Sequence, residues 1–228
     1  MPADAANTEA SRFAHTKLYD LACAAPLIVV YGFACAGDVL LILRQWPDAH
    51  SWKTQLTIAN ETATLVFFGL QIALCLVRRL PVGKSDGPWP RLVALLGANF
   101  NFTLLLLPHA TLGASWTMVS AALAIGGTLA SAAMLPHLGR SFSIFPEARG
   151  LVTSGPYGYI RHPLYLAEMV SSLGIMLQFR QPWAALISLV TIAFQIRRMT
   201  YEENILRRTF ADYDGYAARI RRLIPGLY

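Results

Sequence analysis

Six long apolar runs constrain this chain more than any other feature of its sequence. They cover residues 21–43, 57–77, 92–107, 112–136, 164–179 and 182–196. An apolar helix of about 20 residues spans the hydrocarbon core of a bilayer, which is roughly 30 Å thick. Only 14% of the residues are charged, whereas soluble domains carry about 25%. We therefore predict an all-α, multi-pass transmembrane helix bundle of five or six spans, with residues 1–228 forming a single integral membrane domain.

The last two apolar runs are the shortest. Each covers about 15 residues, or roughly 24 Å at 1.5 Å per residue, which is short of the hydrocarbon core. They cross the bilayer fully only if it thins or if polar flanking side chains reach back to its surface. We expect these runs to form one tight hairpin that turns at Arg180, Gln181 and Pro182.

The basic residues indicate the orientation of the bundle. They concentrate in residues 78–91, 140–161 and 197–222, which fall on one side if six helices alternate. The opposite loops hold only Arg44, Lys53 and Arg180. Because positive loops stay in the cytoplasm, we predict that both termini are cytoplasmic. Arginine supplies most of the basic residues, a bias common in GC-rich bacterial genomes, which favours a bacterial inner membrane.

An apolar pattern with helical spacing follows the last run. Its members are Met199, Leu206, Phe210, Tyr213, Ala217, Ile220 and Ile224. This spacing predicts an amphipathic cytoplasmic C-terminal helix with arginines and acids on its other face. Such a helix serves either as a basic anchor at the membrane surface or as a lid over the bundle.

Cysteine usage and net charge argue against two other classes of protein. Cys23, Cys35 and Cys75 lie inside apolar runs without a CxxC pair, so we predict no metal site. The net charge of +6 would suggest nucleic acid in a soluble protein. Here the basic residues flank membrane segments, so anionic lipid headgroups are the predicted partners and nucleic acid is not.

The connector between the fourth and fifth runs carries the candidate chemistry. It is about 26 residues long, and loops of that length usually have a function. Residues 155–158 read Gly-Pro-Tyr-Gly, which predicts a turn, and Pro163 suits the first position of a helix. The free N–H groups of that helix start can hold a carboxylate or phosphate, and Arg161 and His162 can add charge-assisted hydrogen bonds.

Two separated motifs resemble those of one enzyme family. Residues 155–166 read GPYGYIRHPLYL, residues 138–143 before them read LGRSFS, and Glu202-Glu203, Phe210, Tyr213, Tyr216 and Pro225 follow. This combination resembles the isoprenylcysteine carboxyl methyltransferases and their phospholipid N-methyltransferase relatives. The resemblance covers residues 125–228, whereas the first hundred residues add only apolar helices.

The resemblance implies an S-adenosylmethionine-dependent integral membrane methyltransferase that acts at the cytoplasmic face. Residues 121–228 would form its cofactor-binding core and residues 1–120 its N-terminal transmembrane helices. The implied cofactor-binding residues are Gly155, Tyr157, Arg161, His162, Pro163, Tyr165, Leu166, Glu202 and Glu203. The predicted catalytic residues are Glu203, Arg207 and Arg208. The two arginines lie about one helical turn beyond the glutamates, where a guanidinium group would orient the carboxylate or phosphate of the acceptor. Pairing of these arginines with lipid headgroups is the alternative.

Adjacent glutamates lie about 100° apart around a helix, so Glu202 and Glu203 cannot both enter one small site. We expect one of them to bind the cofactor and the other to pair with an arginine. Asp38, Asn99 and Asn101 lie in or near apolar runs and are candidates for lining a substrate cavity.

The acceptor stays open at this stage. A prenylcysteine-like carboxylate and a lipid amine both fit a small lipophilic substrate that arrives through the bilayer. A membrane sterol-type reductase that uses NADPH is the alternative enzyme. A transporter is the non-enzymatic alternative, but its expected paired broken helices are not seen in the sequence.

Overall fold

The computed structural model describes residues 16–224, which fold into seven α-helices joined by short 3₁₀ segments. The helices are α1 (Lys17–Gln45), α2 (Trp52–Val77), α3 (Trp89–Asn99), α4 (Ala114–Leu138), α5 (Pro163–Met176), α6 (Trp183–Thr209) and α7 (Tyr213–Arg219). Two short strands, β1 (Gly83–Lys84) and β2 (Glu147–Ala148), pair antiparallel. The predicted all-α fold is confirmed.

Among the described residues, three helices are long and apolar enough to cross a membrane. They cover Lys17–Asp48, Trp52–Val77 and Ala114–Ser141, and they contain the first, second and fourth apolar runs. The third run forms α3 together with a 3₁₀ segment at Phe100–Leu106. The fifth run forms α5, which has 14 residues. The protein therefore has membrane-spanning helices, whereas five or six crossings stay a prediction.

Helices α5 and α6 form the hairpin that the sequence predicts. Residues 177–182 connect them, and this turn pairs with the loop before α4. The N–H of Ala110 donates to the carbonyl of Gln178, and the N–H of Arg180 donates to the carbonyl of Pro108. Both connections therefore lie at the same end of the bundle.

The C-terminal segment differs from the single amphipathic helix predicted above, and that prediction is wrong. Helix α6 continues through Met199 to Thr209, and the chain leaves the helical conformation at Phe210 (φ −122°, ψ 116°). Helix α7 then begins at Tyr213. The reason is tertiary: the chain must turn here to bury Tyr213 and Tyr216, which are 1% and 6% exposed.

Small residues bring α4 and α5 into close contact. A Cβ atom at Gly127 would lie 2.7 Å from Cα of Ser171, and one at Gly174 would lie 2.7 Å from the carbonyl oxygen of Ser120. The Ser120 hydroxyl donates to the carbonyl of Gly174 at 2.8 Å. Close backbone approach with interhelical hydrogen bonds is typical of membrane helix pairs. This contact fixes the position of α5, whose first turn lies beside the connector.

A buried ionic cluster stabilises the other end of the bundle, where α1 begins, α2 ends and the connector lies. We call this end of the bundle the connector end. Nε of Arg78 lies 2.9 Å from Asp20, and Arg149 lies 2.6 Å from Asp20 and 2.5 Å from Glu147. Removing one member of a buried ion pair costs about 3–5 kcal/mol. The cluster therefore holds the connector against the first two helices.

Candidate active site

The connector, the first turn of α5, the last turns of α6 and helix α7 enclose a cavity at the connector end. It contains about 800 Å³ of space not filled by protein atoms, including its open mouth. The lining residues are Leu138, Ser141, Phe142, Ser143, Phe145, Glu147, Gly150, Leu151, Val152, Tyr157, Arg161, His162, Leu164, Tyr165, Arg198, Glu202, Leu206, Tyr213 and Tyr216.

The predicted turn and helix start form one wall of this cavity. Residues Gly155–Gly158 form a 3₁₀ turn, and α5 begins at Pro163 as predicted. Gly155 has φ +61°, and a Cβ atom there would lie 2.7 Å from the His137 ring, so this position requires glycine. Leu164 and Tyr165 are the second and third residues of α5, whose N–H groups have no acceptor within the helix. Both residues line the cavity, so the start of α5 forms part of its wall.

Glu203 is the centre of a buried charge cluster beside the cavity. Its Oε1 atom lies 3.0 Å from Nε of Arg161, 3.0 Å from Nε2 of His162 and 3.1 Å from Nε of Arg222. Its carboxylate is buried and lies in the part of α6 that follows the apolar run. Burial alone would raise the pKa of Glu203, but the hydrogen bond with His162 and the charges of His162, Arg222 and Arg161 lower it to about 2. Glu203 is therefore ionised at neutral pH and holds three basic side chains together.

This cluster also docks the tail, residues 220–222 after α7, onto the connector. Ile160 and Arg221 form a parallel bridge. The N–H groups of Arg161 and His162 donate to the carbonyls of Arg221 and Arg222 at 2.8 and 3.0 Å. The Arg161 guanidinium donates to the Ile220 carbonyl at 2.5 Å. The tail is therefore fixed along residues 160–162 by both main-chain and side-chain bonds.

Glu202 points into the cavity, unlike its neighbour Glu203. It accepts a hydrogen bond from the Tyr165 hydroxyl and lies 3.2 Å from Nε of Arg198. The Arg198 guanidinium is buried and lies 4.9 Å from the centre of the Tyr165 ring. The sequence argument did not select Arg198. The available signal was its position one helical turn before Glu202, on the same face of α6.

Aromatic side chains supply much of the remaining lining. Six line the cavity: Phe142, Phe145, Tyr157, Tyr165, Tyr213 and Tyr216. Tyr216 donates its hydroxyl to the carbonyl of Tyr157 at 2.6 Å. The Tyr157 hydroxyl is itself buried and has no hydrogen-bond partner among the described residues. Burial raises the pKa of Tyr157 above its ordinary value, so it stays a neutral donor. A cation or an aromatic ring is well accommodated by such walls.

The predicted cofactor-binding residues divide into two groups. Tyr157, Arg161, His162, Tyr165 and Glu202 line the cavity.

The others lie behind this lining. Gly155 shapes the turn, Pro163 begins the helix and Glu203 holds the charge cluster. Leu166 packs against Tyr165, Met199 and Leu223 in an apolar cluster.

The predicted catalytic arginines do not line the cavity. Arg207 lies 3.1 Å from Asp214 and 3.6 Å from Glu203. Arg208 lies 3.1 Å from Asp86, and its side chain is 69% exposed.

The polar residues of the apolar runs also lie outside the cavity lining. Asn101 donates to the Ser172 hydroxyl and accepts from Thr191, so it links α5 and α6. Asn99 donates to the Leu95 carbonyl within α3.

Asp38 lies in α1, away from the cavity, and its Oδ2 atom has no partner among the described residues. Within residues 16–224, no group of three His, Cys, Asp or Glu side chains is arranged to hold a metal.

Comparison with known protein families finds a match in the same part of the chain. Residues 114–213 match the sequence profile of the family described as phospholipid methyltransferase. The match begins with α4 and ends at the first residue of α7, so it contains the connector, the α5–α6 hairpin and both glutamates.

Similar curated proteins include a protein-S-isoprenylcysteine O-methyltransferase of Schizosaccharomyces pombe. It is 38% identical over 110 residues, which are 45% of this chain and 46% of that protein. Protein-S-isoprenylcysteine O-methyltransferase A of Arabidopsis thaliana is 32% identical over 108 residues, 44% of this chain and 55% of its own length. A nickel-cobalt-cadmium resistance protein, NccN of Alcaligenes xylosoxydans xylosoxydans, is 33% identical over 78 residues, 34% of this chain and 37% of that protein. The chain thus spans about half the length of the curated relatives that it matches, or less.

Proposed function

We propose that this protein transfers a methyl group from S-adenosylmethionine to a small lipophilic acceptor at the cytoplasmic membrane face. One observation carries the proposal: the connector, the first turn of α5 and Glu202 line a single cavity within the region that matches the methyltransferase family. In this proposal the bundle crosses the membrane five or six times, and both termini are cytoplasmic.

The residues that line the cavity fit S-adenosylmethionine in four respects. The free N–H groups of Leu164 and Tyr165 suit the methionyl carboxylate, because a helix N-terminus favours an anion. The Glu202 carboxylate suits the methionyl ammonium or the ribose hydroxyls. The Tyr157 hydroxyl lacks a partner among the described residues and can donate to the bound molecule. The aromatic walls suit the positive sulfonium and the flat adenine.

Bound S-adenosylmethionine would supply a methyl group attached to a positively charged sulfur. The sulfur would keep the electron pair of the broken carbon–sulfur bond while the acceptor forms its new bond to the methyl carbon. The chain has to align the two molecules, and well-oriented reactants gain up to about 7–11 kcal/mol. Glu202, held by Tyr165 and Arg198, would fix one molecule. Glu203 would act indirectly, because it orients His162 and Arg161 along the wall of the cavity.

A carboxylate is the acceptor that this site needs least help to use. It is already nucleophilic, so no general base is required, whereas an amine must first lose a proton. The relatives named isoprenylcysteine O-methyltransferases modify an oxygen by their names, and a prenylcysteine-like carboxylate is therefore our first candidate. The family description, phospholipid methyltransferase, favours a lipid amine as the second.

The test is transfer of isotope from labelled S-adenosylmethionine into lipophilic products, with purified protein supplied either with a prenylcysteine analogue or with a lipid extract. Glu202→Gln should lower the transfer at least tenfold, because it removes the charge that contacts the bound molecule. Asp48→Asn makes the same chemical change on an exposed residue at the opposite end of the bundle and should keep full transfer.

A binding measurement separates this proposal from the reductase alternative. S-adenosylhomocysteine should raise the unfolding temperature, and NADPH should not. Stabilisation by NADPH alone, or unchanged transfer in Glu202→Gln, would contradict the proposed function.

A further inference from the structure

A second concave surface lies at the connector end, separate from the cavity described above. Its polar lining consists of Lys17, Arg78, Arg79 and Arg140. Its apolar lining consists of Leu76, Val77 and Leu80. We call this surface the interfacial groove. No acidic side chain of residues 16–224 contributes to its lining, so the described lining is strongly positive.

The position of the interfacial groove is set by the helices that form it. Lys17 is the first residue of α1, Val77 is the last residue of α2, and Arg140 follows the end of α4. Within residues 16–224, these are the three helices long and apolar enough to cross a membrane. Their ends mark the level at which the hydrocarbon core gives way to the headgroups. The groove therefore lies at the membrane surface.

Most of the positive charge in the groove has no acidic side chain paired with it among the described residues. Arg78 is the exception, since it is buried against Asp20. Lys17 donates to the main-chain carbonyl of Arg78 at 2.5 Å, and Nε of Arg140 donates to that of Val77 at 3.2 Å. These bonds fix the side chains without cancelling their charge.

The remaining cation is the guanidinium of Arg79, which is exposed. Across residues 16–224, neither Lys17, Arg79 nor Arg140 has an ion pair with an acidic side chain among the salt bridges of the structure. Three cations thus face one concave surface without an acidic counter-ion from residues 16–224.

The apolar side of the groove identifies the kind of anion. Leu76 and Val77 are 51% and 53% exposed, and both lie in the last turn of a membrane-crossing helix. Such side chains contact acyl chains, whereas a free phosphate gains nothing from them. The groove thus offers cations for a phosphate and an adjoining apolar wall for the chains attached to it.

We propose that the interfacial groove binds the phosphate of an anionic phospholipid, held by Lys17, Arg79 and Arg140, with its acyl chains along Leu76 and Val77. This site is distinct from the proposed methyl-transfer cavity and does not depend on it. Its occupant would brace the ends of α1, α2 and α4 against one another. Lipid binding should therefore increase the stability of the folded bundle.

The experiment uses the full chain, purified and delipidated in an uncharged detergent. Phosphatidylglycerol, phosphatidylcholine and inorganic phosphate are titrated separately while the midpoint of thermal unfolding is recorded. Phosphatidylglycerol should raise the midpoint in a saturable way, and the other two should not. Each cation near an anionic headgroup contributes about 1 kcal/mol, so Arg79→Gln should raise the half-saturating lipid concentration about fivefold and Arg79→Gln with Arg140→Gln about 30-fold.

Two control variants make the outcome decisive. Arg44→Gln with Arg180→Gln removes the same charge from exposed residues at the opposite end and should leave the titration unchanged. If the double groove variant does not fold, Arg79→Gln alone serves, because its guanidinium donates none of the hydrogen bonds found between described side chains. An equal effect of phosphatidylcholine or of inorganic phosphate would overturn the proposal, as would an equal loss in both double variants. Neither result would affect the proposed methyl transfer.

Discussion

Neutralising Glu203 should mainly affect the stability of the fold, whereas neutralising the adjacent Glu202 should mainly affect ligand binding. Glu203→Gln removes the charge that holds Arg161, His162 and Arg222 together, each within 3.1 Å of one oxygen atom. Glu202→Gln removes the charge that faces the cavity and that has one cationic partner, Arg198 at 3.2 Å. The first substitution should mainly destabilise the fold, and the second should mainly weaken ligand binding.

The magnitude for Glu203 follows from its surroundings. Its side chain is 5% exposed, and the fall in its pKa from 4.5 to about 2 corresponds to about 3 kcal/mol in favour of the charged form. Removing one member of a buried ion pair costs a similar amount, about 3–5 kcal/mol. Glu202 is 21% exposed and has one cationic partner, Arg198, which is 6% exposed. Because glutamine keeps an oxygen acceptor for Arg198 and Tyr165, Glu202→Gln should cost about 1–2 kcal/mol, less than Glu203→Gln.

The assay has two readings on the same purified samples. Thermal unfolding in detergent measures stability, and calorimetric titration with S-adenosylhomocysteine measures affinity. We expect Glu203→Gln to unfold well below the wild type and Glu202→Gln to unfold close to it but to bind at least tenfold more weakly. If Glu203→Gln is as stable as the wild type, or if Glu202→Gln is the less stable of the two, the division of roles is wrong.

Three further predictions concern other parts of the structure. Lowering the pH should remove the stabilisation due to Glu203, because the pKa of Glu203 is lower in the folded protein than in the unfolded chain. This stabilisation is fully present above about pH 4.5 and is lost as the pH falls towards about 2. The stability of Glu203→Gln, measured over the same acid range, should lack this loss. Tyr157→Phe should leave the unfolding temperature unchanged, since the Tyr157 hydroxyl has no partner among the described residues. It should weaken the binding of S-adenosylhomocysteine about fivefold, the value of one hydrogen bond. A lower unfolding temperature with unchanged binding would contradict the assignment of this hydroxyl to the ligand. Gly174→Val should destabilise the bundle by at least about 1–3 kcal/mol, because the valine side chain would overlap Ser120 and Ala124. Gly126→Val, on an open face of α4, is the matched control and should unfold within a few degrees of the wild type.

Features that depend on neighbouring residues were predictable from the sequence. The turn at 155–158, the helix start at Pro163 and the hairpin at 180–182 follow from proline and glycine, whose backbone preferences act locally. The apolar runs identified helices by length and composition. Contacts between distant parts of the chain were not predictable in this way. Asp20 binds Arg78 and Arg149, which are 58 and 129 positions further along, and no local pattern connects them.

The division of roles between Glu202 and Glu203 shows the same limit. The helical spacing indicated that only one of them could enter a small site, but the choice depends on how α6 is rotated against the connector. The break at Phe210 was missed for a related reason. No proline or glycine lies between Thr209 and Tyr213, and the chain turns there because the tyrosines of α7 pack against the connector.

The docking of residues 221–222 along residues 160–162 has a consequence for biogenesis. A ribosome adds some sixty residues between these two segments, and α5 and α6 are made before the second segment emerges. Until then Glu203 lacks Arg222, and the groups that line the cavity lack their outer support. The cavity should therefore acquire its final shape only after the membrane helices have inserted. A chain that stops before Arg221 should insert normally and yet fail to bind S-adenosylhomocysteine.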